Sequence, residues 1–356
     1  MNPILKYALL LIFLFTGIQT YAEEKKEDFD VTELIMEHVA DAYEWHLASF
    51  GYTHVSIPLP VIVKAKGGSW HIFSSARFEH GHAEYKGFYI SEQGDYKGKI
   101  VQTDASGNEV RPWDISLTKN ACSLLISSTL LVILILSCSH WYKKRQGKLH
   151  EISPKGFIAL IEMLITSLID SVMKPCIGKN YKPYVPYLLT VFFFIFTNNL
   201  LGIIPVFPGG ANVTGNIAVT CVLAIFTFLM VNLFGTKEYW KEIFWPEVPF
   251  WLKLPIPILP AIEVIGVFTK PFALTIRLFA NILAGHAIVL GLMCMIFLTV
   301  ELGAGLNAGM SVLSIIMSVF ICFIELLVAF IQAYVFTMLS SVFIGLSQVE
   351  SHHRKS

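Results

Sequence analysis

Charge is scarce in this sequence. Asp, Glu, Lys and Arg make up 15% of its 356 residues, and 26 basic residues face 26 acidic ones, for a formal net charge of zero. That balance excludes the strongly basic surface of a nucleic-acid binder. With 54% hydrophobic residues and a mean hydropathy of +0.62, it also excludes a disordered chain and an ordinary soluble enzyme. Cysteine is sparse as well. Five of the six (Cys122, Cys138, Cys221, Cys294, Cys322) lie inside apolar runs and Cys176 sits beside one. None falls in the polar segment 23–118, so neither a disulfide framework nor a CxxC metal site is expected. A GxxxxGK[ST] loop is missing, which excludes nucleotide chemistry by this chain. HExxH is missing too, which speaks against an intramembrane metalloenzyme; no metal and no cofactor are expected. The rival that remains is a secondary ion transporter with a midplane site. It calls for internal repeats with broken helices in matched halves, and none is visible.

What the chain has in abundance is apolar sequence, gathered into runs of about 20 residues or longer, the length that spans a bilayer as helix. Residues 1–22 carry Lys6, an apolar stretch Tyr7–Phe15 and then Thr20-Tyr21-Ala22, the layout of a signal peptide cleaved after Ala22. Segment 23–118 reads as a small exported α+β domain. Asp30 and Glu33 resemble a capping box before a helix over 31–49. From Val55 to about Ile115, β-rich stretches such as VSIPLPVIV and KGFYI alternate with glycine-containing turns. His38, His46, His54, His71, His80 and His82 match no metal-ligand spacing and are read as surface or packing residues.

Residues 119–141 form the first mature span. From 142 to 183 there are eight Lys or Arg against three acids, an excess that marks the cytoplasmic side. Within it, 156–173 has apolar residues at helical spacing and is expected to lie along the interface or pack on other helices rather than span. Residues 184–203 cross outward, the loop Pro205–Asn212 carries no charge, and 213–234 return inward. The tail 349–356 is basic and cytoplasmic. Two elements follow that loop pattern, about 256–300 and 310–347. As straight helices they measure roughly 57–68 Å at 1.5 Å per residue, about twice the hydrocarbon thickness. With no polar turn near the middle of either, a pair of tilted or bent helices joined by a turn at Glu301–Gly309 is expected, with Pro260 and Pro271 available as bends. The fold class is therefore an all-α multi-span membrane protein with a long helical hairpin and a small α+β N-terminal domain.

Ionisable groups in such helices cost about 2.5–3.5 kcal/mol each at mid-membrane, so each is a functional candidate. The first long helix holds Glu263, Lys270, Arg277 and His286, and the second holds Glu325 with Gln332 as a polar neighbour. At 100° per residue, Glu263, Lys270 and Arg277 form one stripe that Asn281 extends, whereas His286, nine residues past Arg277, faces the opposite way. Glu325 and Gln332, seven apart, share a face. This pattern places Gln332 and Asn281 near Arg277, and His286 near Glu325. For Glu263 and Lys270, snorkelling or a mutual ion pair competes with a channel or interface role.

The run KPFALTIRLFANILAGHAIVLGL (270–292) resembles the signature of the a subunit of F-type ATP synthases, as do FTNNLLGIIP (196–205), NVTGNIAVT (212–220) and IQAYVF (331–336). The pieces occur in the family's order and cover about 184–348. The resemblance implies a non-catalytic membrane stator of the Fo sector facing a rotating c-ring. Protons would enter by one half-channel, ride the ring on its carboxyl groups and leave by an offset half-channel. Arg277 matches the family's essential arginine, Asn281 and Gln332 its polar companions, and Glu263 a channel carboxylate. Many bacterial relatives place an acid where His286 stands and a histidine where Glu325 stands; the exchange here keeps one acid and one base and implies that the two side chains face each other. Implied partners are the c-ring, the b subunit of the peripheral stalk, the F1 sector indirectly, and lipid, with no nucleic acid. Implied localisation is the inner membrane of a Gram-negative cell.

Overall fold

The computed structural model of the chain describes residues 40–50, 53–81, 83–91, 94–104, 107–145, 154–204, 207–244 and 258–348. The expected signal peptide 1–22, the capping residues Asp30 and Glu33, His38, His82 and the tail 349–356 lie outside the described residues.

The N-terminal part is built from eight short antiparallel strands. They are β1 (Glu44–Phe50), β2 (Thr53–Pro58), β3 (Pro60–Lys64), β4 (Trp70–Ser74), β5 (Phe88–Ile90), β6 (Ile100–Thr103), β7 (Glu109–Val110) and β8 (Trp113–Asp114). They pair as a β1–β2 hairpin, a β4–β3–β8 sheet and a β5–β6–β7 sheet. β1 corrects one expectation: the helix read over 31–49 is a strand from Glu44 onward. The reason is tertiary. Tyr43 and Trp45, two apart, are 4% and 2% exposed, Tyr43 in the core with Val61 and Phe78 and Trp45 against Ala211 and Val213. Burying those two rings and pairing Trp45 with Ile57 outweighs a modest local helix preference. Of the histidines whose side chains are described here, His80 Nδ1 lies 2.8 Å from Glu44, and His71 meets Ser69 at 3.0 Å and packs edge-on against Phe88.

The strand pairing runs on into the membrane helices. Ile115 and Leu117 donate backbone hydrogen bonds to Ile62 and Pro60, so the chain stays alongside β3 until helix α1 (Lys119–Lys144) begins. Thr118 caps α1 by accepting from the Ala121 amide. Helix α2 (Phe157–Leu168) passes through a π turn (Ile169–Met173) into a last turn at Lys174–Ile177. One face of this stretch, with Ile161, Leu168, Val172 and Met173, is buried on neighbouring helices. Helix α3 (Val185–Ile203) buries Leu188, Phe192, Ile195 and Asn199, spaced four, three and four residues apart. Helix α4 (Ile217–Leu233) is followed, across a 99° bend, by α5 (Lys237–Phe244).

The two long elements are α6 (Ile258–Leu298) and α7 (Ala304–Ser347). Among the described residues four helices are long and apolar enough to cross a membrane, or five if α4 and α5 count as one bent span. Two details of the hairpin differ from expectation. The turn is shorter than Glu301–Gly309: a 3-10 turn at Val300–Leu302 leads to Gly303, whose φ of +107° suits glycine, and α7 starts at once. Thr299 donates to Asn307 Oδ1 at 2.9 Å across this junction, which ties the first turn of α7 to the end of α6. Pro260 lies in the first turn of α6, where a missing amide costs no helical bond, so Pro271 alone of the two stands in the helix interior. Small residues on α7, Ala329, Ala333, Thr337, Ser340 and Ser341, are buried and let the helices approach closely.

Candidate functional site

The antiparallel hairpin sets the register of the polar groups. Glu325 on α7 lies against Gly285 on α6, and Lys270 Nζ stands 5.6 Å from the centre of the Phe343 ring. The same hairpin brings together two titratable groups, one from each helix. His286 Nδ1 is 2.9 Å from Glu325 Oε1, with the side chains 18% and 7% exposed. The contact is a close ion-pair distance without hydrogen-bond alignment, since Oε1 has no aligned donor.

Gly285 makes room for this carboxylate. A Cβ there would stand 3.0 Å from Glu325 Oε1. The other ring nitrogen of His286 faces α3: a Cβ on Gly202 would lie 3.7 Å from Nε2 and 3.8 Å from the carbonyl oxygen of Ala211. Beside it runs a buried polar chain. Thr214 Oγ1 donates to Asn199 Oδ1 at 2.6 Å, and Asn199 Nδ2 donates to the carbonyl of Ala329 at 3.2 Å, one turn beyond Glu325. Ser127 on α1 donates to the neighbouring Asn198 at 2.9 Å. Gly202, Gly285, Asn199 and Thr214 were not among the residues singled out from sequence. The doubled asparagine in an apolar run was the one available signal, because an amide at that depth needs partners.

The remaining candidates lie apart from this pair. Arg277 and Asn281, one turn apart on α6, are both exposed, whereas Leu274, Leu278 and Ile282 are buried. Arg277 pairs with no carboxylate among the described residues, and Glu325 is engaged by His286 instead. Gln332 is buried in the hairpin at 6% exposure. Glu263 is exposed near the start of α6, within electrostatic reach of Tyr239 on α5. Lys270 lines a small cleft with Thr227, Asn232 and Phe343, rather than pairing with Glu263. Chemically, the site couples an acid and a base at proton-exchange distance inside the hairpin with a permanent cation on its outer face.

The family model described as ATP synthase A chain matches residues 124–345, and a second, described as a domain of unknown function (DUF8433), matches residues 34–116. Among curated relatives, ATP synthase subunit a 2 of Chlorobaculum tepidum is 41% identical over 252 residues, 68% of this chain and 66% of the relative. ATP synthase subunit a of Chlorobium phaeobacteroides (strain DSM 266) is 37% identical over 317 residues, 86% of this chain and 87% of the relative. The protein of that name from Myxococcus xanthus is 41% identical over 247 residues, covering 67% and 75%. The match runs from within α1 to near the end of α7, with Arg277, His286 and Glu325 inside it, and on that breadth the chain belongs to the ATP synthase A chain family.

Proposed function

We propose that this chain is the proton-translocating stator of an F-type ATP synthase, presenting two offset half-channels to a rotating c-ring. The observation that carries the reading is the separation of roles in the hairpin. His286 and Glu325 occupy each other at 2.9 Å in the interior, which leaves Arg277 exposed with no carboxylate among the described residues to neutralise it. A guanidinium so placed acts on carboxylates that pass outside the chain.

The chemistry follows from three costs. Arginine stays protonated, its pKa lying above about 12, so Arg277 is a fixed charge. A ring carboxylate beside it is favoured in its ionised form, and must release its proton before passing. A carboxylate returning to lipid must be neutral, because the charged form costs several kcal/mol there. Together these conditions route the proton through rotation, and the fixed charge opposes a direct leak between half-channels. The driving force is about 2.3 kcal/mol per charge per 100 mV, comparable to a shift of one or two pKa units at 1.36 kcal/mol each. His286 and Glu325 serve as one coupled relay; Asn281 and Gln332 flank the Arg277 level, Glu263 belongs to a channel mouth, and Lys270 to a channel or interface.

In this reading, residues 1–22 are a signal peptide and 23–118 a periplasmic domain. Residues 119–141 form the first span, 142–183 the cytoplasmic interfacial segment, 184–348 the channel helices and 349–356 a cytoplasmic tail. The chain sits in the inner membrane of a Gram-negative cell, with the c-ring, the peripheral-stalk b subunit and, through them, the nucleotide-hydrolysing sector as partners.

Replacing Arg277 by Lys tests the proposal. Lysine keeps the formal charge but deprotonates when desolvated, so inverted vesicles carrying R277K are expected to show no ATP-driven acidification while the c-ring still co-purifies in mild detergent. Normal pumping by that variant would refute the assigned role.

A further inference from the structure

The N-terminal β domain, matched by a family model of unknown function over residues 34–116, packs on the membrane part through Trp45. Trp45 of β1 is 2% exposed and is buried together with Ala211 and Val213, in the segment 207–216 between α3 and α4. Its ring meets that of Phe207 edge-on, with centroids 5.0 Å apart. The base of the hairpin is pinned to the first membrane helix, since Lys119 N donates to the carbonyl of Ala42 at 2.8 Å and Asn120 N to Asp41 Oδ1 at 3.0 Å. Trp45 is thus held from the side of α1 and bears on the 207–216 segment.

That segment reaches the titratable pair along two routes. The Ala211 carbonyl and His286 Nε2 both border the empty side of Gly202, at 3.8 and 3.7 Å from where its Cβ would be. Thr214 is hydrogen-bonded through Asn199 to the backbone of α7 at Ala329, one turn from Glu325. Ala211 is 1% and Thr214 1% exposed, so neither can shift without dragging its neighbours. A polar route to a buried imidazole tolerates little displacement, because rates fall steeply when reacting groups move by an ångström.

We propose that the β domain is a positioning device for the proton site: Trp45 clamps the 207–216 segment and thereby sets the gap at Gly202 through which His286 exchanges protons. The proposal rests on the stator reading above. It gives the N-terminal domain a task in transport without assigning it a ligand of its own, and it makes Trp45 a positioning residue, since it touches neither His286 nor Glu325.

The test uses the whole complex in inverted vesicles. With W45A, the c-ring is expected to co-purify as in the parent protein while ATP-driven acidification slows about tenfold, within the range that packed networks transmit. W45F, which keeps a ring against Phe207, is expected to restore the rate to within about twofold of the parent, a recovery that loss of general stability would not show. Parental pumping by W45A, or equal impairment of W45A and W45F, overturns the proposal. If W45A does not assemble, F207A removes the other ring of the same contact and is read in the same way. R277K in parallel keeps the two claims apart: coupled pumping by R277K sinks the stator reading itself, whereas its loss beside an unaffected W45A sinks only the positioning role.

Discussion

His286 and Glu325 illustrate how far a single residue pair carries the chemistry. At 2.9 Å each is a charge partner of the other, both largely buried, while Arg277 is exposed. Single replacement of either leaves the other buried without its partner, at a cost of 1–3 kcal/mol or about tenfold or more in rate. The double exchange, His286→Glu with Glu325→His, keeps one acid and one base in the same space. It is expected to transport protons faster than either single variant, and purely additive losses in that cycle would argue against a shared function. The spacing of charges along each helix was readable from the residue numbers, because helical angle follows from separation alone. The part played by Gly285 was not. A glycine has no chemistry of its own, and its value here lies in the 3.0 Å between an absent Cβ and Glu325 Oε1. Tyr43 makes a different residue-scale point. Its hydroxyl donates to Asp114 Oδ2, and burial first, then the Asp114 hydrogen bond and charge, raise its pKa above the ordinary value near 10. The folded domain therefore keeps this proton where the unfolded chain loses it. Its contribution is whole below about pH 10 and drains away as pH rises toward the folded pKa. The protection of the β-domain amides, measured against their intrinsic exchange rates, is expected to fall above that pH, and Tyr43→Phe to flatten the dependence.

Among the elements, α7 shows how sequence pattern and packing divide the work. Its existence and approximate length were plain from an unbroken apolar run. Its start at Ala304, five residues before the expected end of the turn, was not, because the Thr299–Asn307 bond that secures it joins side chains across the junction. At the other end, Gly345 meets the Cys176 carbonyl so closely that an added Cβ would stand 1.9 Å from the oxygen. Backbone cannot yield as a flexible side chain can. Gly345→Ala is expected to cost at least about 1–3 kcal/mol, seen as a lower melting midpoint in detergent and poorer assembly with the ring. An unchanged midpoint would mean that α7 and the Lys174–Ile177 turn are not in this contact. The same packing explains the interfacial segment. The helical periodicity of 156–173 pointed to a helix lying along the interface or packed on others, and α2 buries one face on neighbouring helices; the π turn at Ile169–Met173 follows from no pattern in the residues.

For the molecule as a whole, the order of helices and the distribution of Lys and Arg imply one orientation. In the orientation we propose, the β domain and the 207–216 segment lie on the exported side and the Lys143–Arg145 cluster on the cytoplasmic side. A membrane-impermeant amine reagent applied to intact spheroplasts is expected to label the β domain and spare Lys143 and Lys144, with the pattern inverted in inside-out vesicles. Labelling of both groups from one side would contradict the arrangement. The amino-acid sequence by itself determined the class of the protein, the number of long apolar elements, the hairpin and the roster of intramembrane charges, because bilayer thickness and helical pitch are constants against which a run of residues can be measured. Only the tertiary structure decided that Trp45 lies in a strand and bears on the 207–216 segment, that two glycines open the space around His286 and Glu325, and that Arg277 is left outside. Those outcomes depend on which surfaces meet across 40 to more than 160 residues of chain (Gly285 to Glu325, Trp45 to Ala211), and no local period encodes them.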